Sequence, residues 1–283
     1  MGTYAVTGSA SGMGAAVAQK LTDAGHRVIG VDLRDADVIA DLSTPDGRAS
    51  AASGVLGLAE NRFDGAVLAA GLGPTAGAER ARLIIEVNYF GVTELLTAWQ
   101  PALATAGNAK VVVFSSNSTT TVPLVPRSLI KAFRDGDAGK ALRVAMRFRK
   151  FAPPIAYAGS KIALTHWVRR TAVAPHWVGE GIRLNALAPG AIRTPLLEEQ
   201  LETPSERKQI ESFPVPVGGF GDASQLGEWA VFMLSPAADF LVGSVVFVDG
   251  GTDAYFRPDD WPRPPTLPRY VLKTRQWARR RRL

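Results

Sequence analysis

Two side chains four residues apart, Tyr157 and Lys161, are the strongest candidates for acid–base chemistry in this chain. Residues at this spacing lie on one face of a helix. An ammonium group beside a phenol favours the phenolate, and so lowers the tyrosine pKa from its usual value of about 10. Such a pair can move a proton near neutral pH. The spacing alone is also typical of exposed surface pairs, so its meaning depends on the elements around it.

A pair of serines, Ser115 and Ser116, closes a Val-rich stretch that we predict to be a strand, Lys110–Ser115. Ligands of open α/β sheets bind beyond the carboxyl ends of the strands. A serine hydroxyl at that edge can hydrogen-bond a substrate oxygen and help to polarise a carbonyl group. The alternative is turn chemistry, in which the hydroxyl bonds only to nearby backbone.

Three glycines, Gly8, Gly12 and Gly14, follow the first predicted strand, Tyr4–Thr7, at the start of the first predicted helix, Met13–Ala24. Glycines permit close approach of the backbone to a pyrophosphate, which the free N–H groups of a helix N-terminus attract. The spacing differs from the commoner G-x-G-x-x-G, and an ordinary structural turn is the alternative. The position between strand and helix favours a dinucleotide site.

An acidic residue, Asp32, ends the second predicted strand 18 residues after Gly14. A carboxylate there can accept hydrogen bonds from the ribose hydroxyls and would repel a 2′-phosphate, so NAD (NADH) is favoured over NADP. Capping of a turn is the alternative. Arg34 could bind a 2′-phosphate, but the loop before Gly12 carries no basic residue.

Strand-like and helix-length segments alternate along the chain, which is typical of a parallel sheet covered by helices. We therefore predict an α/β fold: a single doubly wound Rossmann-type domain whose seven-stranded parallel sheet is flanked by helices. The predicted strands are Tyr4–Thr7, Arg27–Asp32, Val38–Ala40, Ala66–Ala70, Lys110–Ser115, Arg183–Leu187 and Val245–Val248. The predicted helices include Met13–Ala24, Ala81–Ala104, Ile155–Val178 and Ala223–Leu234.

Composition argues against several classes of protein. The 283 residues contain no cysteine and only three scattered histidines, so neither disulfides nor a His/Cys metal site is expected. The N-terminus enters a strand at once, which predicts no signal peptide, and no apolar run reaches the roughly 18 residues of a membrane helix. We expect a cytoplasmic protein with no metal and no transmembrane segment.

The net charge of +6 is concentrated at the C-terminus. Residues 257–283 hold nine Lys/Arg and two Asp/Glu, leaving 23 basic and 24 acidic residues in the remainder. A nucleic-acid-binding function for the whole chain is therefore not supported. The Pro-rich basic tail could contact an anionic membrane surface, nucleic acid or a partner subunit; a solvated tail is the alternative.

These motifs together resemble the short-chain dehydrogenase/reductase family over roughly residues 2–253. The resemblance rests on the glycine turn, on the serine and the Tyr/Lys pair, and on further short stretches. Those stretches are Asp41-Leu42, Ala69-Ala70-Gly71, Val87-Asn88, Pro189-Gly190 and Asp249-Gly250-Gly251. One departure is Ala69, where the family usually has asparagine; this costs a steadying hydrogen bond and no chemistry.

The resemblance implies a role for each site residue. Tyr157 is the acid/base, Ser116 holds the reacting oxygen, Lys161 binds the nicotinamide ribose and keeps Tyr157 acidic, and Asn88 holds a water that links Lys161 to solvent. Asp41 and Leu42 flank adenine, and the residues after the sixth strand embrace the nicotinamide. The full implied cofactor set is Gly8, Ser11, Gly12, Met13, Gly14, Asp32, Leu33, Asp41, Leu42, Ala70, Gly71, Tyr157, Lys161, Pro189, Gly190, Ile192 and Thr194.

Within the family, the chain is most similar to the bacterial 3α-hydroxysteroid dehydrogenases/carbonyl reductases. That group also carries a long insertion before the tyrosine, here a 41-residue separation from Ser116, and it uses the second serine of the pair. The helical insertion, about residues 119–153, should block the tetramer contact made through the tyrosine helix, which implies a homodimer through the last helix and strand. A surface excursion without a role is the alternative.

The function expected from these resemblances is NAD(H)-dependent interconversion of a secondary alcohol and a ketone. Apolar residues in 196–217, where the family places its substrate loop, suit a 3α-hydroxysteroid, a terpenoid or another hydrophobic carbonyl compound. The rival hypothesis is a non-catalytic protein that senses NAD or holds a ligand. We divide the chain into an NAD-binding domain, residues 1–256, and a Pro/Arg-rich extension, residues 257–283.

Overall fold

Seven parallel strands form the central sheet of the computed structural model, which describes residues 1–77, 79–202 and 204–280. In chain order the sheet strands are β1 Thr3–Thr7, β2 Arg27–Asp32, β3 Val38–Ile39, β4 Gly65–Leu68, β5 Lys110–Phe114, β6 Arg183–Pro189 and β9 Val245–Val248. Their spatial order is β3-β2-β1-β4-β5-β6-β9, and every neighbouring pair is parallel. The two-residue strands β7 (Ile192–Arg193) and β8 (Gly221–Asp222) pair separately. The predicted seven-stranded doubly wound sheet is confirmed.

Helices connect the strands and cover both faces of the sheet. They are α1 Gly12–Asp23, α2 Pro45–Leu58, α3 Arg80–Ile85, α4 Gly91–Thr105, α5 Ser118–Thr121, α6 Arg127–Arg134, α7 Ala138–Met146, α8 Ala152–Thr171, α9 Pro195–Glu202, α10 Pro204–Glu211, α11 Ala223–Leu234, α12 Thr252–Phe256 and α13 Leu267–Arg280. Shorter 3₁₀ turns span Arg149–Phe151 and Pro236–Ala238, and π-helical turns span Glu86–Phe90 and Pro175–Gly179.

The apolar core forms two layers, one on each face of the sheet. The larger layer lies under α2, α4 and α8, and the smaller one lies under α1 and α11. Strand β5 is buried at all five positions because both of its faces are covered, which explains its run of valines.

Several predicted boundaries were wrong for local reasons. The fourth strand ends at Leu68 instead of Ala70, because the Ala70 amide donates to the Thr7 hydroxyl instead of a ladder partner. The helix predicted over 81–104 is interrupted by the π-helical turn Glu86–Phe90. The helix predicted over 155–178 ends at Thr171, since Pro175 lacks an amide hydrogen and holds the preceding residue in extended backbone.

The insertion packs into the core and is not a solvated excursion. Leu129 and Phe133 of α6 are fully buried in the larger apolar layer. A Cβ added to Gly159, on the helix that carries Tyr157, would lie 2.5 Å from Leu129 Cδ2. The Phe133 ring lies 4.8 Å from the Tyr89 ring in the π-helical turn. The insertion therefore covers one side of α8 and braces the turn that contains Asn88.

The tail beyond the last short helix is exposed. Every residue from 258 to 279 is exposed, including the described side chains of α13, whereas residues 281–283 at the end of the basic run lie outside the described part of the chain. Among the described residues, no helix combines the length and apolar character needed to cross a bilayer.

Candidate active site

Ser116 and Tyr157 meet beyond the carboxyl end of β5. Tyr157 lies in the second turn of α8, and its hydroxyl is close enough to the Ser116 hydroxyl for the serine to lower its pKa. The Ser118 amide donates to Ser116 Oγ over 3.1 Å and fixes the serine in place. The Ser115 hydroxyl instead lies 2.7 Å from the Thr165 hydroxyl on α8. Of the two serines, Ser116 is therefore the one that can share a substrate oxygen with Tyr157.

The ammonium group of Lys161 is buried next to the carboxyl end of β5. Its Nζ donates to the carbonyl oxygen of Phe114, the last residue of β5, over 2.8 Å, and lies 5.9 Å from the centroid of the Tyr157 ring. The side chain is buried without a carboxylate partner in the described contacts, and burial lowers the pKa of Lys161 to about 8. Lys161 is thus an ammonium near its titration point at neutral pH.

The protonation of Tyr157 differs from the sequence prediction. Burial raises the pKa of Tyr157, and the neighbouring Ser116 hydroxyl opposes the rise only in part. We expected Lys161 to lower this pKa, but its nitrogen is directed at the Phe114 carbonyl and not at the phenol. In the protein alone, Tyr157 is held protonated at neutral pH and is therefore poised as a proton donor.

The stability of the fold should rise with pH because of Lys161. Below pH 8 this side chain is charged in both the folded and the unfolded chain, and burying the charge costs its full penalty. Between about pH 8 and 10.5 the folded protein has lost a proton that the unfolded chain still binds, so the free energy of unfolding increases. The expected gain over Lys161→Met, which does not titrate, is up to about 3 kcal/mol. Urea unfolding of both proteins at pH 7.5 and 10.5 measures it; a difference between them that does not change with pH would contradict the assignment.

Asn88 joins the site to the loop after β4. Its amide nitrogen donates to the Leu72 carbonyl oxygen over 3.0 Å, and its amide oxygen accepts from the Leu72 N–H over 2.8 Å. A Cβ on Gly71 would lie 3.4 Å from Asn88 Oδ1 and 3.7 Å from Lys161 Nζ, so these three residues meet. The Asn88 side chain therefore clamps the loop, and a relay through water near it stays a prediction.

The glycine turn forms a cradle that side chains would fill. Gly8 has a φ of +71°, and a Cβ there would lie 2.8 Å from the Ala70 amide nitrogen. A Cβ on Gly14 would overlap the carbonyl oxygen of Gly8. Ser11 at the N-cap makes no side-chain cap, and the first turn of α1 contains no acidic residue. The N–H groups of this twelve-residue helix can therefore bind an anion.

Asp32 stands at the rim of this cradle. One carboxylate oxygen accepts from the Ala10 amide over 2.9 Å and the other from the Leu33 amide over 2.7 Å. The Asp32 carboxylate therefore also caps the turn, as the alternative interpretation held. The Arg34 side chain is 84% exposed and lies 3.9 Å from Asp35, so it is directed into solvent.

The remaining predicted cofactor residues line the same edge of the sheet. Leu42 is buried beside Asp41, which is exposed and accepts a hydrogen bond from the Ser43 amide. The Asn117 amide donates to the Pro189 carbonyl oxygen over 2.9 Å, which ties the serine loop to the end of β6.

Ile192 and Thr194, which follow β6, extend this edge of the sheet toward the glycine turn. Ile192 is buried, and a Cβ on Gly12 would lie 3.6 Å from Thr194 Cγ2. Gly190 packs on Asp249, where a Cβ would lie 2.7 Å from the Asp249 Cα. Met13 packs at the edge of the smaller apolar layer and Leu33 is exposed.

A helical segment, residues 195–217, follows β7 and is called the lid here; it is anchored to the segment after β9. Thr252 Oγ1 donates to the Pro214 carbonyl oxygen over 2.8 Å, and the rings of Phe213 and Phe256 lie 5.8 Å apart. Leu197 is buried, Leu201, Ile210, Phe213 and Val215 are half-buried, and Val217 is exposed. The side chain of Leu196 lies outside the described residues.

Sequence reasoning missed two residues of this region. The Ser118 hydroxyl is buried and has no hydrogen-bond partner within the described part of the chain, although it lies two residues from Ser116. Thr252 anchors the lid, and its place directly after Asp249-Gly250-Gly251 was the available signal. Among the described residues, no group of three His, Asp or Glu could hold a metal ion.

Comparisons with known proteins agree with this geometry. Residues 4–184 match the model of the NAD dependent epimerase/dehydratase family, and residues 126–253 match that described as enoyl-(acyl carrier protein) reductase. The chain is 40% identical over 258 residues, 91% of its length and 99% of the relative's, to the 3-alpha-hydroxysteroid dehydrogenase/carbonyl reductase of Comamonas testosteroni.

Solved structures show the same similarity. The 3-alpha-hydroxysteroid dehydrogenase from Pseudomonas sp. B-0831 complexed with NADH is 41% identical, with a TM-score of 0.85 over 91% of this chain and 99% of that one. A short-chain type dehydrogenase/reductase from Mycobacterium ulcerans, 24% identical, has the same fold, with a TM-score of 0.68 over 91% and 94% of the two chains. With a 40% identical relative matched over almost its whole length, a shared sheet topology and the Ser116/Tyr157/Lys161 geometry, the chain belongs to the short-chain dehydrogenase/reductase family of oxidoreductases.

Proposed function

We propose that this enzyme interconverts a secondary alcohol and a ketone on a hydrophobic substrate, with NAD and NADH as the redox partner. The observations that carry the proposal are the neighbouring Ser116 and Tyr157 hydroxyls and the glycine cradle between β1 and α1. Its relative from Comamonas testosteroni is a 3-alpha-hydroxysteroid dehydrogenase/carbonyl reductase, which makes 3α-hydroxysteroids the first substrate class to test.

The residues present fit a dinucleotide. The cradle has no room for side chains and ends at an uncapped helix N-terminus, as a pyrophosphate requires. Asp32 would accept hydrogen bonds from the adenosine ribose, and the outward-facing Arg34 leaves a 2′-phosphate without a cation, which favours NAD. Bound NAD would accept, and NADH would supply, the hydride equivalent that changes the oxidation level of the substrate.

Proton transfer falls to Tyr157. In ketone reduction its Oη donates a proton to the carbonyl oxygen while Ser116 Oγ hydrogen-bonds the same oxygen; in alcohol oxidation Oη receives the proton. The raised pKa of Tyr157 suits the donor role at neutral pH. Lys161, next to Gly71 and Asn88, would bind the nicotinamide ribose.

The lid supports an apolar substrate. Its half-buried residues include Leu201, Ile210, Phe213 and Val215, so apolar surface remains for a ligand to cover. The Thr252 hydroxyl bond to Pro214, the bond from the Val217 amide to the Gly250 carbonyl oxygen over 3.0 Å, and the contact of the Phe213 and Phe256 rings hold the far end of the lid. We infer that a rigid polycyclic alcohol is a better substrate than a small one, since it buries more of this surface.

We further propose that the enzyme is a homodimer formed through α11 and β9. Phe232 and Trp229 are exposed on the side of α11 away from α1, and β9 is an edge strand. Phe232→Glu is therefore expected to convert a dimer into monomers, measured by sedimentation, because it places a charge in an apolar contact. Leu58→Glu, at an exposed leucine of α2, is the control and should stay dimeric. A tetramer that pairs its α8 helices would contradict the proposal.

The cytoplasmic location expected from the sequence stays a prediction.

Spectrophotometric assay tests the function directly. NADH formation is followed with 3α-hydroxysteroids, terpenoid alcohols and simple secondary alcohols, each with NAD and with NADP. The expected result is turnover of a hydrophobic alcohol with preference for NAD. Tight binding of NADH with no turnover of any alcohol or ketone would favour the NAD-sensing alternative and reject the enzyme function.

A further inference from the structure

The end of the tail, residues 261–283, differs in charge from the rest of the protein. It contains eight of the 32 Lys and Arg and none of the 26 Asp and Glu, which leaves 24 basic and 26 acidic residues in residues 1–260. This segment is therefore positively charged along its whole length, whereas the other basic stretch, the insertion at residues 119–153, mixes eight basic with two acidic residues.

The tail helix α13 has one apolar stripe. At 100° per residue, positions three, four and seven apart share a face. The stripe consists of Leu267, Tyr270, Val271, Thr274, Trp277 and Ala278. Leu272 is the apolar residue on the opposite side of the helix.

Basic side chains flank this stripe on both sides. Arg269 and Lys273 lie along one border, and Arg275 and Arg279 lie along the other. A helix with an apolar stripe that contains aromatic rings and a polar face rich in Lys and Arg is typical of segments that lie in the plane of a membrane interface. Tyrosine and tryptophan favour that interface because each has an apolar ring and a polar edge.

Nothing in the described part of the chain covers the stripe. Leu267 is 74% exposed and Trp277 is 62% exposed, and every residue from 258 to 279 is exposed. Before this segment, at the end of α12, the Arg257 guanidinium donates to Asp253 Oδ1 over 2.7 and 2.9 Å. An apolar stripe of this kind, left in water, marks a surface that binds something.

We propose that α13 binds an anionic lipid surface, with its apolar stripe inserted at the boundary between headgroups and acyl chains and its cations on the lipid phosphates. The charge of the helix favours this occupant, since its flanks hold cations on both borders and no acidic residue that could pair with a second copy. Nucleic acid would engage the cations and stack on the rings but would leave Leu267 and Val271 exposed.

Vesicle sedimentation of the full chain tests the proposal. Binding to phosphatidylcholine vesicles that contain phosphatidylserine should be at least about tenfold tighter than to phosphatidylcholine alone, and should weaken as salt is raised. Reversing two charges, Arg269→Glu with Lys273→Glu, should lower the affinity by about tenfold or more. This double variant should not change the turnover of a soluble alcohol substrate, and neither should the single tail variants described next.

A matched pair of leucines separates insertion from simple charge attraction. Leu267→Ala removes a leucine from the stripe and Leu272→Ala removes one from the opposite side, and both side chains are more than half exposed. Only Leu267→Ala should weaken binding, by a few-fold, because only that side chain is buried in lipid. Equal effects of the two variants would overturn the proposal. So would tighter binding to a duplex oligonucleotide than to anionic vesicles at the same salt, or self-association that Trp277→Ala abolishes in the absence of lipid.

Discussion

Replacing Tyr157 with phenylalanine is expected to lower kcat/KM by roughly 10³-fold, within the 10²–10⁴ range of a lost general acid or base. The substitution keeps the aromatic ring on α8 and removes only the hydroxyl oxygen that lies near Ser116. The fold and the affinity for NADH should change little, because the glycine cradle is made by other elements. Steady-state kinetics and NADH fluorescence titration measure the two quantities.

The same substitution at an exposed tyrosine provides the control for this prediction. Tyr270→Phe, on the tail helix, should leave turnover of a soluble alcohol unchanged. Activity of Tyr157→Phe within about tenfold of the parent would contradict the proton-transfer role, because general acid–base catalysis is worth more than that.

Adding a single methyl group at Gly14 is expected to weaken NADH binding by roughly 100-fold. The new Cβ would overlap the backbone carbonyl of Gly8, and neither atom belongs to a flexible side chain that could move away. The glycine turn must therefore shift, and the N–H groups at the start of α1 leave the positions in which they could bind phosphate. Titration with NADH measures the loss, and far-UV circular dichroism checks that the variant is folded.

Gly57→Ala is the matched control for this methyl group. Gly57 lies near the end of α2, and a Cβ there meets nothing within 4 Å. This variant should bind NADH as the parent does and gain about 0.5–1 kcal/mol of stability from better helix propensity. A folded Gly14→Ala protein with unchanged NADH affinity would show that the cradle does not hold the pyrophosphate.

The sequence patterns predicted the sheet because its strands have strong local signals. Strand β5 contains three consecutive valines followed by Phe114, and β2 ends at an aspartate; both belong to a simple alternation of strands and helices. The motif residues also come together as expected, since the carboxyl ends of parallel strands share one edge of the sheet.

The details that were missed depend on contacts between distant residues. Apolar periodicity continues through 81–104, so nothing local indicates the π-helical turn at Asn88, which is clamped to Leu72. The Lys161 ammonium group is directed at the carbonyl oxygen of Phe114, 47 residues earlier in the chain, and not at the Tyr157 phenol. The burial of the insertion likewise arises from a face of α8 that sequence spacing does not reveal.

The insertion also determines how the active site can open. Phe133 packs against Tyr89 and Phe90 on the π-helical turn, and Leu129 fills the space above Gly159 on the tyrosine helix. These contacts join α6, the π-helical turn and α8. If one of the three moved away, the apolar side chains that it packs against on the other two would be exposed to water, so the three form one cooperative unit. Backbone amides of α6 and of the first half of α8 should then exchange hydrogen with solvent only through global unfolding, whereas those of the lid exchange through local openings. The enzyme would admit its substrate by moving the lid while the wall that carries Tyr157 stays closed.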